Sequence, residues 1–175
     1  MNVRLATLED LPVVAKMLDE ATVFVRTKGR DQWPVPYPQA KLRASVADRS
    51  LYVVEVHGEP AATFTLLLDD PKFWGERPPD AVYLHKLAVR RGFAGRGLGA
   101  RIVDWVVDEA ARLGRSFVRL DCQRDLPGIR RYYEELGFEL RGELERGAFA
   151  WALYERRTSP ETSRPVPGTR AGRNG

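Results

Sequence analysis

The residues best equipped for chemistry lie in the second half of this 175-residue chain. Gly92, Gly95, Gly97 and Gly99 crowd one turn that runs directly into the amphipathic stretch LGARIVDWVVDEAARLG. Glycine costs backbone entropy, so such a cluster implies left-handed backbone or the close approach of another group. A helix starting there offers amides with no intrahelical acceptor, and together with the helix dipole they attract an anion such as a phosphate. Leu98, Gly99 and Ala100 follow Gly97, so the GxxxxGK[ST] pattern of a nucleotide-hydrolysing P-loop is not met. The dinucleotide fingerprint is met only loosely, with Ala100 as the third small residue, and no series of βαβ units opens the chain.

Three other side chains carry candidate reactivity. His85 sits in AVYLHKLAV, where period-two alternation places Tyr83, His85 and Leu87 on one face of a strand. An imidazole titrates near pH 6.5 and can accept a proton at neutrality; a half-buried strand histidine bonded to a neighbour is the equally open reading. Cys122 ends an apolar run, which suits a small buried hydrophobe better than a nucleophile. Tyr133 and Tyr132 fall with Ile129 and Leu136 at i, i+3, i+4 and i+7, the spacing of a core stripe. His57, in HGEP, reads as a solvated turn residue. The two histidines are distant in sequence and the carboxylates lack ligand spacing, so no metal is expected.

The elements that position these groups can be outlined. VRLATLEDLPVVAKMLDEATVFV reads as a strand and a helix whose cap is Thr7, with Asp10 where a capping box would have glutamate. TKGRDQWPVPYP, residues 27–38, is a proline-rich loop before a second helix near PQAKLRASVADR. LYVVEV and AATFTLLL, joined by HGEP, form a hairpin, and DDPKFWGERPPD is a loop. From residue 81 the order is strand, glycine turn, helix to Gly114 and the strand SFVRLDC, a βαβ unit. LPGIRRYYEELG is a further helix, and FELRGELERGAFAWALYER supplies two antiparallel strands. The tail, 158–175, is rich in Pro, Gly, Ser and Thr and is expected to be disordered.

Composition sets the outer bounds. The length, 43% hydrophobic and 30% charged residues describe one globular domain, 1–157. No run reaches the roughly 18 apolar residues of a membrane span, and MNVRLATLEDL lacks the regions of a signal peptide, so a cytoplasmic address is expected. The net charge of +4 is spread among acids and forms no basic stripe, so nucleic acid is not an expected partner.

LHKLAVRRGFAGRGLGARIVDW, followed by RRYYEELGF, resembles the GNAT superfamily of N-acetyltransferases over residues 81–140. The resemblance implies an α/β (α+β) domain with a mixed, mostly antiparallel sheet of about six or seven strands and about four helices on both faces. It implies acetyl-CoA as co-substrate, with its pyrophosphate on the amides of Ala94, Gly95, Arg96, Gly97, Leu98, Gly99 and Ala100. Ala94 stands where the family usually has Gln or Arg, and Leu126 where relatives often place an Asn. Leu87, Ala88 and Val89 would pair main chain to amide with the pantetheine arm. Tyr133 matches the tyrosine of the family's Y-E-x-L-G-F pattern and would serve the departing thiolate as acid, while His85, in an H-x-L-A-V context, would take the amine's proton.

The acceptor is then a primary amine, expected on a small molecule. Its pocket would be walled by Trp33 and Tyr37, with Phe73 and Trp74 as further candidates; the same aromatics covering the core is the other reading. Protein N-terminal or lysine acetylation and a non-catalytic acyl-CoA-binding module are the rival functions. A homodimer is compatible with the sequence but not indicated by it.

Overall fold

The computed structural model describes residues 1–147 and 149–158. Its elements run β1 (Asn2–Leu5), α1 (Leu11–Arg26), α2 (Gln39–Ala47), β2 (Leu51–Val56), β3 (Glu59–Leu67), α3 (Pro71–Trp74), β4 (Ala81–Val89), α4 (Leu98–Arg112), β5 (Phe117–Gln123), α5 (Pro127–Glu135), β6 (Glu139–Arg146) and β7 (Phe149–Arg157). The seven strands form one sheet in the order β1-β2-β3-β4-β5-β7-β6. Only β4 and β5 run parallel, as expected of strands joined by a helical crossover. The mixed, mostly antiparallel sheet is the one anticipated. One short helix, α3, was not: a four-residue turn of PKFW lies below the length at which periodicity is visible.

Helix α4 shows why its stretch of sequence folds as it does. Leu98, Ile102, Val103, Val106, Val107 and Ala110 line one face and are all buried against the sheet. Each fully buried aliphatic side chain contributes roughly 1.5–3 kcal/mol, which a helix of this length needs to hold together. Tyr133 and Phe138 join the same core, so α4 and α5 share one side of the sheet. On the other side α1 and α2 bury Leu11, Val14, Leu18 and Leu42 against Leu51, Val53 and Ala88. Asp10 completes the cap of the first helical turn, its carboxylate accepting the Thr7 N–H at 2.7 Å.

Two features organise the centre of the sheet. Below, buried Arg119 on β5 donates to Asp80 and Glu155 at 2.8 Å each and to the Tyr83 hydroxyl at 3.0 Å, tying β4, β5 and β7 together. Above, the β4–β5 pairing stops at Leu84 and Leu120, although β5 remains paired with β7 as far as Gln123. Beyond that point the two parallel strands part.

Strand β4 also carries a bulge, since Thr65 pairs with His85 and Thr63 with Ala88. Two residues, Lys86 and Leu87, thus oppose one, and Lys86 takes φ 53. The extra residue shifts the alternation. Leu87 and Val89 pack into the α4 core with Val82 and Leu84, whereas Ala88 joins the α1 side. Leu87 therefore does not share a face with His85, as strict period two required.

The expected disorder of the tail falls almost wholly outside the described residues. Thr158, assigned to that tail, is buried, and its hydroxyl donates to the Arg115 carbonyl at 2.9 Å. No helix among the described residues is long and apolar enough to cross a membrane.

Candidate active site at the β4–β5 split

The glycine turn provides the first component. Gly95 and Gly97 have φ of 73° and 72°, a region that an L side chain enters only at a cost. A Cβ at either position would meet no protein atom within 4 Å, so packing does not demand glycine there; backbone conformation and open approach do. Gly97 is the N-cap of α4. Among the described residues, no acceptor engages the amides from Gly95 to Ala100. Six consecutive peptide N–H groups at the positive end of a 15-residue helix form a cradle suited to a diphosphate.

Gly99 is needed for a different reason. A Cβ there would collide with the hydroxyl of Tyr132, which lies over the first turn of α4. Tyr132, read from spacing as a core residue, also borders the cradle. Gly99→Ala is expected to cost up to about 1 kcal/mol in urea unfolding, displacement of the Tyr132 hydroxyl being partly offset by alanine's better helix propensity. Adding Tyr132→Phe should recover most of that loss, because the ring carbon behind the oxygen lies at an ordinary 3.5 Å.

The strand split holds the second component. His85 and Asp121 are the first positions beyond the last β4–β5 pair. Nδ1 of His85 lies 3.2 Å from Asp121 Oδ1, so a side-chain ion pair bridges the strands where the backbone ladder ends. Nε2 lies 3.1 Å from Asp70 Oδ2, on the segment leading into α3. All three side chains are largely buried. The Nε2 contact is held by charge and lacks the alignment of a hydrogen bond, leaving Nε2, Asp70 Oδ2 and Asp121 Oδ1 without a fixed hydrogen-bond partner. Burial alone would push the imidazole down, but Asp121 and then Asp70 outweigh it and hold His85 at about 9.

Asp70, His85 and Asp121 are also donor types that bind divalent cations. The two acids address opposite nitrogens of one ring, however, so an ion reached by one nitrogen would be turned away from the other acid.

Tyr133 stands across the sheet on α5, buried at 8% exposure and edge-on to Phe138 at 5.7 Å between ring centres. Its phenol is raised well above the ordinary range, chiefly by burial and next by Cys122, with Asp121 also contributing. Both neighbours lie on β5 beyond its last pairing with β4. Burial pushes the Cys122 thiol up to about 12, so it is protonated and inert as a nucleophile.

The loop aromatics expected to wall an acceptor pocket fall in two places. Tyr37 is 4% exposed, within the α1–α2 core, with Trp33 edge-on at 6.4 Å. Tyr37 is therefore a core residue, because the proline-rich loop folds its aromatics inward to cover α1. The aromatic group beside His85 is Phe73, 6.2 Å away, with Trp151 against it at 5.3 Å. Gln123 on β5 donates to the Asp31 carbonyl, drawing the α1–α2 loop over the end of the strand. A cavity of about 230 Å³ lies there, lined by Gly29, Arg30, Asp31, Gln123 and Phe149. Asp121 was missed at the sequence level. Its one signal was a polar residue interrupting the apolar run FVRLDC.

Known proteins share this fold. The model of the acetyltransferase (GNAT) family matches residues 18–138. YesJ of Bacillus subtilis, described as an uncharacterized N-acetyltransferase, is 29% identical over 164 residues, 89% of each chain. A GNAT-family acetyltransferase structure from Listeria monocytogenes superposes with TM-score 0.74 at 21% identity, covering 89% of this chain and 94% of that one. YncA of Salmonella typhimurium, a putative acetyltransferase solved with acetyl-CoA, gives TM-score 0.67 at 18% identity over 96% and 99% of the two chains. With a family match across most of its length and the amide cradle and split strands in place, this chain belongs to the GNAT family of acetyltransferases.

Proposed function

We propose that the protein transfers the acetyl group of acetyl-CoA directly to the primary amine of a small molecule. The observation that carries this reading is the unfilled row of amides at the start of α4, next in sequence to the strand whose split holds His85, with Tyr133 buried in the core on the other face of the sheet. The amides of Gly95 to Ala100 hold the pyrophosphate, and the strand edge of Leu87, Ala88 and Val89 receives the pantetheine arm. The thioester then lies between the acceptor face and the Tyr133 face.

An amine reaches such a site as an ammonium and must lose a proton before it can attack. Neutral His85 accepts that proton. With His85 at about 9, its basicity lies near that of an alkylamine, so the transfer is close to balanced. The nitrogen bonds to the thioester carbon, the carbon–sulfur bond breaks, and the second proton that the nitrogen sheds on becoming an amide ends on the departing thiolate, which Tyr133 steadies with a hydrogen bond. A phenol raised as far as this one keeps its proton, so it serves the thiolate as a hydrogen-bond donor and not as a net acid. The Gln123–Asp31 tie narrows the acceptor side and favours a small molecule over an extended peptide.

The test is a panel of small amines and of peptides, with thiol release from acetyl-CoA as readout. Turnover of small amines supports the reading, and turnover of peptides alone overturns it. Tyr133→Phe is expected to lower kcat roughly 10- to 100-fold with little change in acetyl-CoA affinity; unchanged kcat would remove Tyr133 from the mechanism.

A further inference from the structure

The bulge in β4 inserts Lys86 directly after His85, and the charged groups that act on Lys86 include Asp70 and Asp121, the two acids that face His85. Lys86 is half-buried, and among the described residues no hydrogen bond or ion pair engages its ammonium. Its charged surroundings come from four segments. Lys41 on α2 and Lys72 on α3 repel it, while Asp121 on β5 and Asp70 before α3 attract it. Both acids already face His85. The ammonium of Lys86, partly stripped of water, is thus left with more repulsion than committed partners, and burial lowers its affinity for the proton. Leaving a cation in this state costs free energy that an incoming anion would recover.

We infer that the acceptor is a zwitterionic amine of the amino-acid type, whose carboxylate is bound by Lys86 while its amine faces the Asp70–His85–Asp121 cluster. Adjacent Cα atoms are about 3.8 Å apart, so the two recognising side chains leave one strand position after another. Anchors this close together suit an acceptor whose amine and carboxylate are near neighbours, as they are in an amino acid. Phe73 and Trp151 flank the histidine and give the remainder of the molecule an apolar wall. This inference rests on acetyl transfer to a primary amine at the split, and it adds the chemical class of the acceptor.

The experiment compares each amino acid with the amine left by removing its carboxylate: phenylalanine with phenethylamine, leucine with isoamylamine and lysine with cadaverine. Steady-state thiol release is measured for the wild type and for Lys86→Gln and Lys86→Arg. The wild type is expected to favour each amino acid in kcat/KM by about 10- to 100-fold, expressed mainly in KM. In Lys86→Gln that preference should fall to near parity, and Lys86→Arg should restore much of it. Preference for the decarboxylated amines, or a Lys86→Gln preference equal to that of the wild type, overturns the inference and leaves acetyl transfer standing. Absence of thiol release with every amine, together with no rise in melting temperature on adding acetyl-CoA, takes down the underlying reading as well.

Discussion

Gly97→Val is expected to reduce acetyl-CoA binding at least about 100-fold while the protein still folds. Gly97 has φ 72 at the N-cap of α4, and a β-branched residue tolerates that region poorly. The folding cost is roughly 1–2 kcal/mol, because the added side chain meets open space and not the core. That open space is where the diphosphate must approach the amides of Gly95 to Ala100. Titration calorimetry gives the affinity, and the acetyl-CoA-dependent rise in melting temperature should vanish in the variant while its unliganded transition stays cooperative. Wild-type affinity in Gly97→Val would remove the cradle from the site.

His85→Gln is expected to lower kcat/KM by about 10²- to 10⁴-fold, the usual range for loss of a proton-transfer group. The pH dependence separates this role from a structural one. With His85 held at about 9, only about one molecule in a hundred carries the neutral imidazole at pH 7, so wild-type kcat/KM should climb toward pH 9 and level off. Asp121→Asn removes the larger of the two carboxylate effects, so the inflection should fall from about 9 toward the ordinary 6.5, with Asp70 left to oppose burial. An inflection that stays near 9 in Asp121→Asn, or persists in His85→Gln, would assign the titration to another group. The same coupling affects folding. Because the folded imidazole is raised above 6.5, its stabilisation is complete below that pH and is lost as pH rises through about 9. Urea midpoints of the wild type should decline across this window, and those of His85→Gln should not.

Much of the scaffold was legible because its determinants are local. Gly97 followed by Leu98, Ile102, Val103 and Val106 states a left-handed cap and a buried helical face in one short stretch. The hairpin of β2 and β3 was equally clear from β-branched runs on either side of HGEP. Two strands were expected after α5, but their placement was not: β7 inserts between β5 and β6, a choice set by the Arg119–Glu155 pairing and the packing of Tyr154, both non-local.

The chain by itself determined the glycine turn, the helix that follows it and the place of His85 on a strand, since residue type and spacing of 3.6 or 2 suffice for each, whereas spacing gave Tyr133 only a core stripe and its candidacy came from the family resemblance. Tertiary structure alone decided what those residues became. Asp70, Asp121 and His85 are separated by 15 and 36 positions, and they meet only because parallel pairing of β4 with β5 brings two strands side by side and then lets them part. The bulge that takes Leu87 off the face of His85, and the inward fold of Tyr37, likewise depend on contacts made by distant segments. A pattern of side chains along a strand records which residues can share a face; the register of its neighbours decides which of them do.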